Sequence, residues 1–343
     1  MAANLTIDAL LARGANRLAA GWPAGHTRKA TDRRTGMPPS PHEPAGVAAR
    51  DASTMPVNHG VDDLDGGTAR SCGERALSAD DGVLDAELLL AHVLGKTRTF
   101  LKAHPEQIPT PQQAHQFGEL LERRAAGEPI AYIVGYRDFW TLTLAVNPAV
   151  LVPRPETELL VERALALGYE GPVNVADLGT GSGAIALALA SERPQWKVTA
   201  VDLSADALAT ARANAAALGL TRVEFLEGSW FAPLKDRKFH VIASNPPYVS
   251  EGDEALKNAT LQHEPQMALA SGPDGLSAIR EIVRAAPDYL ERHGWLILEH
   301  GFDQAAAVAH ELVGRGFGHV RSHRDLAGHW RLTEGQWEPA RTP

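Results

Sequence analysis

The chain has 343 residues, of which 44% are hydrophobic and 22% charged, and it carries a formal net charge of −9 at pH 7. At about 150 residues per domain, this length predicts roughly two domains of an ordinary globular protein with a buried core. The negative charge argues against a protein that binds nucleic acid mainly by covering it with cations.

The N-terminal part of the chain divides into a short helix and a long segment with few aliphatic side chains. Residues 1–20 are predicted to hold the helix, whose apolar positions are Leu5, Leu10, Leu11 and Leu18. Residues 21–73 consist largely of polar residues, prolines and glycines. Such a segment buries too little apolar surface to offset the entropy lost on ordering, so it is predicted to be a disordered insertion.

Residues 74–153 are predicted to form a small helical domain that ends in a β-hairpin. The first helix shows one apolar face, made of Leu84, Leu88, Leu89 and Val93. A second helix is predicted over 112–126. Apolar residues then alternate with threonines up to Val146, which predicts a strand that pairs with 131–136.

Residues 154–335 are predicted to form a second domain, followed by a tail at 336–343. Strand patterns occur at 173–178, 197–201, 223–226, 240–244 and 295–299. Helical patterns lie at 184–192, 205–218 and 274–292. This alternation predicts an α/β fold in which helices cover both faces of a parallel sheet.

A glycine-rich sequence at 177–183 follows the first of these strands and opens a helix. Its glycines permit a tight turn and a close approach of the backbone to a ligand. The G-x-G-x-G spacing and the preceding Asp177 favour S-adenosylmethionine (SAM) over NAD, because a carboxylate repels a pyrophosphate but accepts hydrogen bonds from an ammonium group. Asp202 ends the next strand, where it can accept from both ribose hydroxyls. The alternative is that both carboxylates merely cap helices.

The sequence Asn245-Pro246-Pro247-Tyr248 follows the strand at 240–244, at the edge where open α/β sheets bind ligands. The prolines fix φ and hold the local carbonyls rigid. A planar –NH₂ group can donate one hydrogen to the Asn245 side-chain oxygen and one to the Pro246 carbonyl, with Tyr248 against its face. Two such acceptors favour a nucleophilic nitrogen, and asparagine accepts without a desolvated charge. The alternative is a turn that the prolines stiffen.

These sequences, in this order on alternating strands, resemble class I, Rossmann-like SAM-dependent methyltransferases of the amino-group type. The sequence LVPRPETE at 151–158 and parts of the helical domain at 85–90, 95–101 and 127–132 narrow the resemblance. Over residues 84 to about 333 the chain resembles the HemK/PrmC family of peptide-chain release factor glutamine methyltransferases. The resemblance implies protein methylation in translation termination: methyl transfer from SAM to the glutamine N5 of the GGQ motif of class I release factors.

The resemblance also implies the residues of the site. The SAM-binding residues would be Gly179, Thr180, Gly181, Ser182, Gly183, Asp202, Trp230 and Asn245. The catalytic residues would be Asn245, Pro246 and Tyr248, and these three with Pro247 would bind the substrate glutamine. The helical domain would help to dock the release factor. Ser229 stands where the family usually has an acidic residue, so a direct carboxylate contact to the adenine amine is not expected.

Two other functions fit parts of the sequence. A nucleic-acid amino-group (adenine N6) methyltransferase uses the same chemistry, but it predicts a basic face and a target-recognition module. The only clear basic run, at 28–34, lies in the predicted insertion. A non-catalytic binding module predicts a damaged ligand loop, whereas the glycines of 179–183 and Asn245 are all present.

Partners and location follow from what the sequence lacks. Cys72 is the only cysteine, and no histidine, carboxylate or cysteine set has the spacing of a metal site, so no metal is expected. The longest apolar stretch, 183–190, is far shorter than the ~18 residues that a membrane span needs. No secretory signal is evident. We expect a monomeric cytoplasmic enzyme that uses SAM, acts on class I release factors, and binds neither a membrane nor a stable nucleic-acid partner.

Overall fold

The structure is a computed structural model that describes residues 5–21 and 79–338. The predicted insertion lies outside these residues from position 22 onward, as do residues 339–343 of the predicted tail. Within the described ranges, no helix is both long and apolar enough to cross a membrane.

The first part of the structure is a cluster of five helices. Their bounds are Ile7–Gly21 (α1), Ala79–Leu94 (α2), Arg98–Ala103 (α3), Pro111–Ala125 (α4) and Ile130–Val134 (α5). The helices share one apolar core, which includes Ile7, Leu18, Leu89, Phe117 and Ile133. Helix α1 therefore packs as part of the helical domain, although the sequence set it apart as a zone of its own.

Two contacts fix how these helices meet. The end of α1 lies against the start of α2, because a Cβ placed on Gly82 would be 3.8 Å from the Leu18 Cβ. The buried carboxylate of Asp85 on α2 accepts from the Arg124 guanidinium on α4 at 2.6 Å. Helix α4 itself begins at a capping box, in which Thr110 and Gln113 satisfy each other's backbone N–H groups.

The hairpin predicted after the helices is present, but its first strand lies later than expected. Strand β1 (Tyr136–Phe139) pairs antiparallel with β2 (Leu142–Ala145). Most of the segment 131–136 is helix α5, so the prediction of a strand there was wrong. Consecutive residues of α5 are buried and Gly135, at φ 87°, ends the helix. A short apolar run of this kind does not distinguish a buried helix from a strand by its pattern alone.

The second part is a seven-stranded sheet with helices on both faces. Its strands are Asn174–Leu178 (β3), Lys197–Asp202 (β4), Glu224–Glu227 (β5), Phe239–Ser244 (β6), Leu290–Glu299 (β7), Phe317–Arg324 (β8) and Trp330–Trp337 (β9). Their spatial order is β5-β4-β3-β6-β7-β9-β8. The first five strands are parallel, and β9 runs antiparallel to both β7 and β8. The predicted α/β fold class, with its helical N-terminal part and hairpin linker, is confirmed.

Five helices cover this sheet. They are Glu158–Ala166 (α6), Ala184–Glu192 (α7), Ala205–Ala217 (α8), Ser277–Ala285 (α9) and Ala305–Arg315 (α10). Helices α6 and α7 pack on one face, where Val175 of β3 is buried, and α9 and α10 pack on the other face, where Leu178 is buried. Because successive side chains of β3 point to opposite faces of the sheet, this strand contributes residues to both cores.

Several boundaries differ from the prediction, and two of the differences have a clear structural reason. The helix predicted over 274–292 ends at Ala285, a short 3₁₀ turn follows at Ala286–Asp288, and β7 begins at Leu290. Pro287 lies within that turn, where its ring and missing N–H stop the helix. The predicted tail at 336–343 also begins too early, because β9 continues to Trp337, whose ring packs 5.5 Å from that of Phe317.

Candidate active site

The predicted site residues converge at the carboxyl edge of the sheet. Strand β4, which follows β3 in the chain, lies on one side of β3, and β6 lies on the other side of β3. The strand order therefore reverses between β3 and β6. Ligands of open α/β sheets bind at such a point. A cavity of about 190 Å³ lies there. The predicted site residues that line it are Gly179, Thr180, Gly181, Ser182, Asp202, Trp230, Asn245 and Pro247.

The glycine loop lies between β3 and α7 and turns by left-handed backbone conformations. Gly179, Gly181 and Gly183 have φ of 72°, 55° and 86°. The backbone N–H groups of Gly179 and Thr180 donate to the Val201 carbonyl at 2.8 and 2.9 Å, which ties the loop to β4. Gly183 does not itself line the cavity but forms the N-cap of α7.

We expect Gly183→Ala to lower the free energy of unfolding by about 1–3 kcal/mol, because alanine at this φ is strained. Its Cβ would also lie 3.0 Å from the Leu187 Cδ1. Gly314→Ala is the matched control, since that glycine lies inside α10 with nothing within 4 Å of an added Cβ. The control should stabilise the protein by about 0.5–1 kcal/mol. Urea unfolding of both variants tests this, and a Gly183→Ala variant as stable as the native chain would contradict it.

Asp177 lies beneath the glycine loop rather than in the cavity. It is fully buried, and its Oδ2 accepts from the Thr180 hydroxyl at 2.6 Å and from the Ala186 N–H at 3.2 Å. Burial raises the pKa of its carboxyl to about 7. Asp177 therefore holds the loop in place, and the predicted direct contact with a ligand ammonium group is not what this geometry provides.

Asp202 lies at the end of β4, with its carboxylate at the cavity. Its Oδ2 accepts from the Gly181 N–H at 2.8 Å, and its Oδ1 accepts from the Ser204 N–H at 2.9 Å. Each carboxylate oxygen therefore keeps further acceptor capacity. The structure orients this side chain from two sides, so it is more than a helix cap.

Trp230 supplies a flat wall on the other side of the glycine loop. Its ring is half-buried, and its Cζ3 would be 3.5 Å from a Cβ placed on Gly179. The backbone of Trp230 has a φ of 45°, which is unusual for a bulky residue. The preceding Ser229 is exposed and also lines the cavity. The ring lies against the glycine loop and gives the cavity a flat, partly apolar wall.

The Asn-Pro-Pro-Tyr sequence separates the first cavity from a second one. The second cavity has a volume of about 370 Å³ and is lined by Asn245 and Tyr248 among others. Asn245 lines both cavities, whereas Pro247 lines only the first. Pro246 is buried and lines neither. One amide side chain therefore stands where the two cavities meet.

Comparisons with known proteins agree with this arrangement. The model of the PrmC N-terminal domain matches residues 69–135, and that of the methyltransferase small domain matches residues 155–325. The release factor glutamine methyltransferase of Pseudomonas aeruginosa is 51% identical over 254 residues, which are 74% of this chain and 92% of that protein. The proteins of the same name from Shewanella oneidensis and Escherichia coli are 45% and 44% identical, over 76% and 74% of this chain and 92% and 91% of their own.

The chain belongs to the release factor glutamine methyltransferase family. The resemblance inferred from the sequence is thereby confirmed. Membership in this family makes the chain a methyltransferase. It disfavours both alternative functions, the non-catalytic binding module and the nucleic-acid amino-group methyltransferase.

Sequence reasoning missed two polar residues beside the asparagine of this methyltransferase. Thr157 is buried, and its hydroxyl oxygen accepts from the Asn245 Nδ2 at 3.1 Å. Glu299, at the end of β7, accepts from the Tyr248 hydroxyl at 3.2 Å. Thr157 could have been found from the sequence, because it belongs to LVPRPETE. Glu299 could have been found because it lies at the end of a predicted strand.

The LVPRPETE sequence also begins a helix. A short 3₁₀ turn at Pro155–Thr157 leads directly into α6. Arg154 just before it forms an ion pair of 2.6 Å with the buried Glu264 and lines both cavities. This sequence therefore builds the wall between the cavities as well as starting a helix. Across residues 5–21 and 79–338, no group of three or more potential ligands is arranged for a metal ion.

Proposed function

We propose that this methyltransferase transfers the methyl group of SAM to the side-chain amide nitrogen (N5) of the glutamine in the GGQ motif of class I peptide-chain release factors. The observation that carries the proposal is Asn245, which lines two adjoining cavities and so can meet a methyl donor in one and an amide in the other. Family membership supplies the class of substrate.

In this proposal SAM occupies the first cavity. The backbone of 179–183 lies along the methionine part, where glycines let the ligand approach closely. Asp202 accepts from the ribose hydroxyls with the lone pairs that Gly181 and Ser204 leave free. The Trp230 ring packs against the adenine, and no carboxylate precedes it to bind the adenine amine. The backbone around Asn245 closes the cavity near the methyl group.

The substrate glutamine enters the second cavity in this proposal. Its amide donates one hydrogen to the Asn245 Oδ1 and the other to the backbone carbonyl of Pro246, and it packs against the Tyr248 ring, with Pro247 on the side of the first cavity. By attracting the two amide protons, these acceptors leave more electron density on the nitrogen, and their directions favour a pyramidal nitrogen. Its lone pair then points along the axis of the bond between sulfur and methyl carbon.

Methyl transfer is a single in-line displacement. The nitrogen forms a bond to the methyl carbon as the bond from that carbon to sulfur breaks, which leaves S-adenosylhomocysteine. The nitrogen becomes more acidic in the product and loses a proton to water, so no base has to act before transfer. Holding the two reactants in this geometry is worth about 7–11 kcal/mol of the barrier.

We propose that the helical domain helps to dock the release factor, because it is the part of the chain outside the methyltransferase sheet and matches a domain model of this family. In this proposal the enzyme is a monomer in the cytoplasm, where translation terminates. It uses SAM without a metal and forms no stable complex with nucleic acid, as its charge of −9 favours.

Incubation with labelled SAM tests the proposed substrate. We expect label on a class I release factor and a mass gain of one methyl group on its GGQ peptide. A release factor with that glutamine changed to asparagine is the matched control and should stay unlabelled. Label on DNA but not on the release factor would reject the proposal in favour of adenine N6 methylation.

A further inference from the structure

One amide side chain ties together three loops that line the second cavity. Gln304, just before α10, is half-buried and lines that cavity. Its Nε2 donates to the Tyr248 carbonyl at 2.9 Å and to the Asp274 carbonyl at 3.3 Å. Its Oε1 accepts from the Gly301 N–H at 2.8 Å. Gln304 therefore joins the Asn-Pro-Pro-Tyr sequence to the turn before α9 and to the loop between β7 and α10.

The three backbone partners of Gln304 fix the direction in which its amide points. A backbone carbonyl can only accept a hydrogen bond and a backbone N–H can only donate one, so neither adapts to a reversed amide. Reversal would place the amide oxygen against two carbonyl oxygens and the NH₂ group against an N–H. The contact is thus specific for a side chain that has two hydrogens on one atom and an acceptor on the other.

The backbone beside this amide leaves no room for a further side chain. Gly275 has a φ of 74°. A Cβ placed on Gly275 would collide with the Tyr248 carbonyl oxygen and would lie 2.7 Å from the Gln304 Nε2. Glycine therefore lets the turn before α9 lie directly against the hydrogen bond between Gln304 and Tyr248.

Tyr248 is held at both ends by the part of the chain that ends β7 and begins α10. Its hydroxyl donates to Glu299, the last residue of β7, at 3.2 Å. Its backbone carbonyl accepts from Gln304 at the start of α10. The tyrosine ring lies between these two points and lines the second cavity. A shift of the backbone end would therefore tilt the ring at the cavity wall.

We propose that Gln304 is a positioning residue for methyl transfer, which holds the backbone of Tyr248 so that the tyrosine ring lies against the substrate amide. This inference rests on the proposed function. Three backbone groups engage the Gln304 amide, so it acts through Tyr248 rather than on the reacting atoms. Gln304 does not line the first cavity, where SAM is proposed to bind, so its loss should affect transfer more than SAM binding.

Gln304→Glu tests the proposal while keeping the size of the side chain. A carboxylate still accepts from the Gly301 N–H, but it has no hydrogen for the carbonyls of Tyr248 and Asp274 and repels both. Single-turnover kinetics with the release factor measure the result. We expect kcat to fall about 10- to 100-fold, as for a small misplacement of a reacting group, with the Kd for SAM within about twofold.

Two further variants accompany this one. Gln336→Glu is the matched control, because Gln336 on β9 also donates its Nε2 to a backbone carbonyl at 2.9 Å, that of His293, and lines neither cavity. It should keep kcat within about twofold of the native value. Gln304→Met removes the two donated hydrogen bonds without adding a charge, and it should lower kcat about 5- to 20-fold. It replaces Gln304→Glu if that variant does not fold.

A double-mutant cycle separates the positioning of Tyr248 from a general structural role. Tyr248→Ala removes the ring that Gln304 is proposed to hold. In that background the Gln304 substitution should lower kcat by less than about threefold, because residues that act through one another are not additive. A general loss of structure would lower kcat by the same factor in both backgrounds. That result, native kcat in the Gln304 variants, or an equal loss in Gln336→Glu would overturn the proposal.

The failure of this inference and the failure of the proposed function give different results. If the native chain does not methylate the release factor glutamine, the proposed function fails before any variant is compared. If the native chain does methylate it and the Gln304 variants match its kcat, only the positioning role fails.

Discussion

Replacing Asn245 with alanine is expected to lower kcat for methylation of the release factor by about 100- to 1000-fold, the loss typical when one preorganised polar group is removed from an active site. The alanine removes the acceptor that faces both cavities, and the Pro246 carbonyl alone cannot orient the substrate amide. The Kd for SAM should stay within about twofold, because the main polar contacts to SAM in this proposal come from the glycine loop and Asp202. Single-turnover kinetics and calorimetric titration with SAM measure the two quantities.

Asn174→Ala is the matched control for this experiment. Asn174 begins β3, at the amino end of the parallel strands, and among the described residues its side chain makes one hydrogen bond, a long one of 3.4 Å to the Lys238 carbonyl. Its removal should leave kcat within about twofold of the native value. Native turnover in Asn245→Ala, or an equal loss in Asn174→Ala, would refute the role assigned to Asn245.

Replacing Asp202 with asparagine is expected to raise the Kd for SAM about 10- to 100-fold. Both carboxylate oxygens accept backbone N–H groups, from Gly181 and Ser204. Asparagine offers one oxygen, so its NH₂ group would face one of these donors and one ribose hydroxyl would lose its charged acceptor. Hydrogen bonds to a charged group contribute about 1.5–3 kcal/mol, and a factor of ten in Kd corresponds to about 1.4 kcal/mol.

Calorimetric titration with SAM measures this change. Asp206→Asn is the control, because Asp206 is exposed in the first turn of α8, four residues further along the chain. Saturating SAM should restore most of the turnover of Asp202→Asn, since the lost contacts are the same in ground and transition state. A Kd within about twofold of the native value would remove Asp202 from the proposed SAM site.

The parallel strands and the loops that follow them were predictable because their signals are local. Each of the five predicted strands is present, Asp202 is the last residue of β4, and the glycine loop and Asn245 follow the ends of β3 and β6. Since carboxyl ends of parallel strands meet at one edge, their juxtaposition follows from the strand assignment alone. The element that was predicted wrongly is α5, one of the shortest helices. Its five apolar residues fit either a helix or a strand.

The network behind Asn245 was not predictable, because its members are far apart in the chain. Thr157 lies 88 positions from Asn245, and Glu299 lies 51 positions from Tyr248. No local pattern marks such a contact, which exists only once α6, β6 and β7 are packed together. The same holds for β9, where buried polar residues such as Thr333 and Glu334 pair with other strands and helices and obscure the alternation of a strand.

The packing of α1 against α2 has a consequence for evolution. The end of one helix meets the start of the other, so the two points that the intervening chain joins lie close together. For a flexible loop, each doubling of length adds only about 0.6 kcal/mol to the cost of bringing its ends together. The stability of the two helices therefore places little limit on how many residues a related chain carries between them.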